Sequence, residues 1–302
     1  MKKLIPYNRN LCSRYATKML SIKINNACNR SCSFCVDKNG RDGKYTNIEK
    51  IAAKAISFDD YKTIVITGGE PFLIFDETVK LITKLKNYKE KIILNTNGSL
   101  LSVNKIRKLN GIIDELQVSI HHYDEKRNGN ILNGIVCFEN IKNSLTNRDF
   151  VFSINSNFNN EYTIEEMPNA VNEMVKLAKY LNADKIRFTE LKKVPQDMFI
   201  SANNFFSETD LPPKTSDELI TKGCTHYCKK DGIKISVKRL CDFAKGENAI
   251  AFSCCFINEQ GQKKIDVDTE DTFKVIYSDG LVTNDWIFNR PNNKEGDAIC
   301  DF

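Results

Sequence analysis

The stretch LSIKINNACNRSCSFCVD, residues 20–37, runs from an alternating, β-branched segment straight into three cysteines, Cys28, Cys32 and Cys35, spaced C-x3-C-x2-C. Leu20, Ile22 and Ile24 recur at a period of two, which predicts a strand over 20–25 with the thiols on the loop that leaves it. The fold turns on whether that strand is the first of a repeating series, and the function on what three crowded thiols would hold.

Outward from this stretch, similar short apolar runs predict strands at 63–68, 91–97, 115–122, 150–156 and 184–191. Segments with apolar residues at three-and-four spacing predict helices near 47–58, 76–88, 102–110, 133–146 and 164–181 between them. Six strand–helix units in succession imply an α/β fold with a parallel sheet and crossover helices, for which a partial (β/α)6 barrel and an open doubly wound sheet both qualify. The units occupy 20–194, behind an N-terminal extension, 1–19. A connection or lid rich in Pro, Asn and Ser comes next at 195–222, and then a cysteine-rich extension, 223–302, with strand-like runs and a hairpin signal at Asp279-Gly280.

The 302 residues suffice for a large buried core, and 41% hydrophobic with 27% charged residues is a globular rather than a disordered composition. Arg9, Arg14 and Lys18 interrupt the first apolar stretch, so it does not read as an export signal, and no later run has the length to span a membrane. The expected setting is therefore the reducing cytoplasm, where eleven cysteines point to metal or redox work rather than disulfides. A formal charge of +5, spread without a basic block, suits an anionic substrate or electron donor and gives no reason to expect a nucleic-acid partner.

A closed zinc site needs four ligands, and the three histidines, at 121, 122 and 226, are remote in sequence from the thiol loop. Three thiolates suit an iron–sulfur cluster with one iron left open; a zinc knuckle or a chance group of buried thiols is the rival reading. TGGEP, 67–71, closes the second strand with two glycines, which let backbone approach a ligand, and Glu70, which can accept from an ammonium group. NTNGS, 95–99, ends the third strand with a turn-forming Asn-Gly.

With C-x3-C-x2-C after the first strand, Phe34 before the last cysteine, and Gly68-Gly69-Glu70 on the next strand, the chain resembles the radical S-adenosylmethionine (SAM) superfamily over roughly 20–194. The resemblance implies a partial (β/α)6 barrel. It implies that Cys28, Cys32 and Cys35 bind three irons of a 4Fe-4S cluster whose fourth iron takes the amino and carboxylate groups of S-adenosyl-L-methionine. Gly68, Gly69 and Glu70 would hold the methionine amino group, Thr96 and Asn97 would stand in the family's T-N-G pattern, and Ser119 and Asn155 would meet the ribose and carboxylate. The implied chemistry is reductive cleavage of the cofactor to a 5′-deoxyadenosyl radical that abstracts hydrogen from substrate, with a flavodoxin- or ferredoxin-type protein as electron donor.

His121 stands where many relatives have an acidic residue. Sharing a face with Ser119, it is a candidate proton donor, proton acceptor or substrate contact as well as a candidate structural histidine. His122 is expected to face the helical layer. Arg187 on the sixth strand either meets a carboxylate or phosphate of substrate or is an exposed strand-end residue.

The tail's Cys224, Cys228, Cys241, Cys254 and Cys255 are candidate ligands of a second, auxiliary iron–sulfur cluster, broadly similar to SPASM or twitch extensions though not matching their spacing. Cys12, Cys137 and Cys300 read as ordinary residues. The spans before Cys28 and between Cys35 and Gly69 are too short for a leader-binding domain or a ferredoxin-like insert. The expectation is therefore a small-molecule substrate such as a nucleotide, sugar or amino acid derivative. A ribosomally made peptide is the alternative, and a non-catalytic zinc or iron–sulfur module is the reading from another class.

Overall fold

The structure, a computed structural model, describes residues 18–35, 47–191, 194, 196–207, 209–212, 225–239, 255–257, 263–265, 273–284 and 286. Six strands, β1 (Met19–Lys23), β2 (Thr63–Thr67), β3 (Lys91–Thr96), β4 (Glu115–Ser119), β5 (Val151–Asn157) and β6 (Lys185–Thr189), pair in parallel in chain order. A doubly wound sheet reverses its winding at a switch point. Here each strand adds beside its predecessor, which is the winding of a barrel.

The helices between them are α1 (Ile48–Ser57), α2 (Phe75–Leu85), α3 (Val103–Leu109), α4 (Glu125–Leu132), α5 (Phe138–Ser144) and α6 (Met167–Tyr180). Local chemistry sets where several begin. The side chains of Asn47, Ser102 and Asp124 accept from Lys50 N, Lys105 N and Arg127 N, satisfying amides that the first turn leaves open. Pro168 in the first turn of α6 loses nothing by lacking an N–H. The helix expected at 133–146 starts only at Phe138. Asn133 and Gly134, at φ 53° and 151°, break the helical path and separate it from α4, which the sequence reading missed.

Alternation along the strands sorts their two faces. Leu20, Ile22, Ile64, Ile66, Ile92, Leu94, Leu116, Val118, Phe152, Ile154 and Ile186 belong to the buried core that the helices cover. The other face carries Lys23, Thr67, Asn95, Gln117, Ser119, Ser153, Asn155, Arg187 and Thr189. A polar lumen inside an apolar sheet–helix layer makes room for a ligand at the expense of interior packing.

The C-terminal strands extend both edges of this sheet. The hairpin β7 (Thr225–Lys230) with β8 (Ile233–Lys238) adds to β6 through parallel β8, and the hairpin β11 (Phe273–Ile276) with β12 (Val282–Thr283) adds to β1 through parallel β11. The strand order is β12-β11-β1-β2-β3-β4-β5-β6-β8-β7, open between its ends, so the barrel is partial. The turn expected at Asp279-Gly280 is present, with Gly280 at φ 89°. A separate antiparallel pair joins β9 (Cys255–Ile257) and β10 (Lys263–Ile265). Among the described residues of the 195–222 connection, Ala202, Phe205, Phe206 and Leu211 are buried in the core, and Glu190 accepts from Ala202 N at 2.8 Å. No helix among the described residues is long and apolar enough to cross a membrane.

Candidate functional site

A cleft of about 410 Å³ opens at the carboxyl ends of the strands, within the size range of small-ligand sites and at the end where parallel barrels carry their chemistry. Cys28, Cys32, Cys35, Phe34, Gly68, Gly69, Glu70, Thr96, Asn97, Ser119, His121 and Asn155 all line it. Residues spread over more than a hundred positions of sequence thus converge on one cavity.

The thiol loop is pinned from two sides. On one, Gly69 N donates to Asn25 O at 2.9 Å and Glu70 N to Ala27 O at 2.8 Å, laying the turn after β2 against the loop after β1. That approach requires the glycines. A Cβ on Gly69 would lie 2.0 Å from Ala27 O, and one on Gly68 would lie 2.2 Å from Asn25 Oδ1. On the other side, Ser31 N and Ser33 N donate to Leu132 O and Ile131 O at the carboxyl end of α4, and Arg30 Nη2 donates to Ile135 O at 2.8 Å. Arg30 N also points at Cys28 Sγ, 3.4 Å away, a donor that favours the thiolate.

Glu70 joins the second and third strand ends. Its buried carboxylate accepts from Phe72 N at 3.0 Å and Thr96 Oγ1 at 2.7 Å through one oxygen, and from Asn97 N at 2.7 Å through the other. Burial pushes its pKa up, and these three donors work against that by stabilising the ionised form. Asn97 continues the chain of contacts by donating to Asn29 Oδ1 at 2.9 Å, back in the thiol loop. The two glycine-containing motifs are therefore one hydrogen-bonded unit.

His121 is held from three directions. Its backbone N donates to Asn128 Oδ1 at 2.8 Å, its carbonyl accepts from Asn159 Nδ2 at 2.9 Å, and its Nδ1 accepts from Asn157 N at 3.0 Å. The last bond places the ring proton on Nε2. Burial lowers its pKa to about 3, so it is a neutral donor across ordinary pH and not a titrating base. Phe34 packs edge-on against the ring at 4.9 Å between centroids. His122 is turned away and stacks on Tyr162 at 4.3 Å.

Sequence reasoning missed Lys23, Arg30, Asn95, Asn157, Glu190, Tyr277 and Trp286, which also line the cleft. The strand-borne members carried a usable signal, since Lys23, Asn95 and Asn157 stand in phase with Ser119 and Asn155 on polar faces. Tyr277 and Trp286 carried none, because their position depends on a pairing between the two ends of the chain.

Of the candidate second-cluster ligands, Cys228 lies on the opposite face of the sheet. It is part-buried beside Pro168, Val171 and Phe206 at a separate cavity of about 380 Å³. Cys224, Cys241 and Cys254 lie outside the described residues, as do Cys12 and Cys300, and Cys255 is described only as the first residue of β9. Cys137 precedes α5 without capping it.

Residues 22–148 match the family model of the Radical SAM superfamily. That segment of the chain is a Radical SAM superfamily domain. Among similar proteins, a probable GTP 3′,8-cyclase of Pyrococcus horikoshii is 26% identical over 207 residues, covering 67% of this chain and 64% of that protein. Another, of Thermoplasma volcanium, is 31% identical over 111 residues, covering 35% and 33%. The chain thus spans less than two thirds of the length of these curated relatives. Among solved structures, Streptococcus suis SuiB bound to precursor peptide SuiA superposes with a TM-score of 0.59 at 17% identity, covering 89% of this chain and 59% of SuiB. That likeness establishes the radical SAM partial barrel here.

The radical SAM family implies a 4Fe-4S cluster and S-adenosyl-L-methionine, and the residues present fit both. Thiolates are the usual ligands of iron–sulfur clusters, one per iron. Among the described residues no three His, Cys, Asp or Glu side chains close on a single ion. The three thiols line one cleft, beside the Gly68–Glu70 turn. The buried Asn95 Oδ1 has no hydrogen-bond partner although Asn95 lines the cleft, an acceptor that a bound amino or hydroxyl group would satisfy.

Proposed function

We propose that this radical SAM protein cleaves S-adenosyl-L-methionine reductively and abstracts hydrogen from a small-molecule substrate of the nucleotide, sugar or amino acid derivative class. The observation that carries the reading is the convergence of Cys28, Cys32 and Cys35 with the Gly68–Glu70 turn on one cleft. When bound, the cluster and cofactor together supply a 5′-deoxyadenosyl radical.

The chain's own part is to bind and orient. Cys28, Cys32 and Cys35 ligate three irons. The backbone at Gly68 and Gly69, kept in place by Glu70, Thr96 and Asn97, receives the methionine amino group with Asn95 Oδ1 beside it. Ser119 and Asn155 take the ribose and carboxylate. His121 offers a fixed N–H from Nε2 toward the substrate side. Tyr277 and Trp286 line the cleft where the C-terminal hairpin joins β1, so exclusion of water falls to that hairpin. The described part of 195–222 does not line the cleft, which makes it a buttress in this reading, not a lid. A flavodoxin- or ferredoxin-type donor delivers the electron, and the tail cysteines remain candidates for a second cluster.

Similarity to proteins named as probable GTP 3′,8-cyclases supports a nucleotide among the small-molecule choices. Protein purified without oxygen is expected to contain iron and sulfide, bleach with dithionite and convert S-adenosyl-L-methionine to 5′-deoxyadenosine. The Cys28/Cys32/Cys35 triple Ala variant is expected to lose that conversion. Deuterium transfer from labelled GTP, a labelled nucleoside panel or labelled peptides into 5′-deoxyadenosine sorts the substrate classes. A colourless, zinc-containing protein that leaves the cofactor intact overturns the proposal.

A further inference from the structure

Pairing register sets Ser119, Asn155, Arg187, Ser236 and Tyr227 side by side across β4, β5, β6, β8 and β7. The first two line the cleft, as does Thr189, the next residue along β6 on the same face as Arg187. Arg187 is not the exposed strand-end residue that sequence allowed. It sits mid-strand and partly buried, between Ile186 and Phe188, whose side chains fill the core on the other face.

The Arg187 side chain makes no hydrogen bond or ion pair with any described residue. The nearby acid that acts on its charge is Glu115, whose carboxylate is fully committed elsewhere. One oxygen accepts from Gln117 Nε2 at 2.8 Å and Ser153 Oγ at 2.8 Å; the other meets Lys185 Nζ at 2.7 Å and Lys91 Nζ at 3.2 Å. A guanidinium cannot shed its proton, so one that is partly buried on a polar sheet face without an ion-pair partner gains from the arrival of an anion. Its planar fork of donors matches a carboxylate or phosphate.

We infer that Arg187 is the specificity residue of the lumen, receiving an anionic group, carboxylate or phosphate, of the substrate. The inference rests on the reading that the reaction occurs in this cleft, and it narrows that reading to anionic substrates. Arg187 stands on the far side of Asn155 from Ser119 in the sheet, one strand beyond the residues assigned to the ribose and carboxylate of the cofactor. The anion is therefore received one strand beyond the groups assigned to the cofactor.

The test uses the full chain with inorganic phosphate and with acetate as probes, at constant ionic strength with chloride as the reference salt. Either probe should raise the melting temperature of the wild type. The concentration for half the effect should rise about tenfold or more in Arg187→Gln, as expected for losing a charge-assisted contact, and be partly restored in Arg187→Lys. Lys176→Gln, an exposed change on α6, should behave as wild type. Equal protection of wild type and Arg187→Gln by both anions, or protection by neither, overturns the inference. The dissociation constant of S-adenosyl-L-methionine, measured by equilibrium dialysis on reconstituted protein, should be unchanged. A rise there in Arg187→Gln assigns the residue to the cofactor carboxylate and also overturns the inference. The anion experiment repeated on the Cys28/Cys32/Cys35 triple Ala variant should give the same result. Failure of the radical chemistry and failure of the anion site are therefore read separately.

Discussion

The bond from Thr96 to Glu70 lets the coupling between the two glycine-containing motifs be measured. Thr96→Val keeps the shape of the side chain but deletes a hydroxyl that donates to Glu70 Oε1 at 2.7 Å and accepts from Gly98 N at 3.1 Å. A hydrogen bond to a charged group contributes about 1.5–3 kcal/mol, and an amide left buried without a partner adds about 1 kcal/mol. The expected loss is therefore about 2.5–4 kcal/mol, a large share of the roughly 5–15 kcal/mol that holds a protein folded. In a Glu70→Gln background the acceptor is neutral, so the same Thr96→Val change should cost at least about 1 kcal/mol less. Urea denaturation of the four proteins in reducing buffer closes the cycle. Iron content should be the same in all four, because the thiols are intact, while affinity for S-adenosyl-L-methionine should fall in each variant as the Gly68–Gly69 turn shifts. Additivity of the two changes to within about 0.5 kcal/mol, the usual agreement for independent sites, would refute the reasoning.

Gly69→Ala must drive apart the backbones of the β1 and β2 loops, since its Cβ would lie 2.0 Å from Ala27 O; the variant should take up little iron on reconstitution, measured per chain against wild type. Cys32→Ala alone should abolish cofactor cleavage while leaving the far-ultraviolet circular dichroism unchanged. Burial alone would raise the pKa of Glu115, but Lys185, Gln117 and Ser153 bring it from 4.5 to about 2, so its contribution is present above pH 4.5 and lost as pH falls from there toward 2. At about 1.36 kcal/mol per unit this is on the order of 3 kcal/mol, and acid denaturation of Glu115→Gln should lack that part of the pH dependence. His121, lowered by burial from 6.5 to about 3, stabilises the fold above pH 6.5 and loses that contribution as pH falls toward 3. Its ring resonances should stay those of a neutral imidazole from pH 8 to 5, and a midpoint near 6.5 would contradict its placement.

The parallel barrel was legible because its two signals are local: period-two apolar runs for the strands and three-and-four spacing for most helices. The limits of the strands were overdrawn where polar residues continue past the last ladder bond, as at His121 and His122 beyond the bond from Ile120 N to Asn155 O that closes the β4–β5 ladder. Helix α4 escaped because EKRNGNIL is polar and contains Gly129, yet Asn128 is fully buried to hold His121, and the helix end receives the thiol loop. Its sequence answers to tertiary contacts rather than to helix propensity. The second-edge pairing of β11 with β1 was illegible for a related reason. It joins residues such as Ile22 and Ile276, and nothing in either segment names its partner.

The described ionisable groups of the cleft are nearly all committed. Glu70 is saturated by three donors, Glu190 holds the turn at Ala202, Arg30 is bonded to Ile135 O, and His121 is neutral with one nitrogen occupied. A site arranged for general acid–base catalysis would keep one such group poised near neutral pH. Here the protein invests its polar residues in fixing backbone turns, while Asn95 Oδ1 is buried without a partner and the partly buried Arg187 side chain has none among the described residues, an arrangement suited to orienting bound molecules whose own chemistry does the rest. In the proposals above, a ligand that meets Asn95 Oδ1 offsets the cost of leaving that acceptor buried and unpaired. The unpartnered polar groups of the lumen, more than the paired ones, are therefore where the proposed ligands are expected to bind.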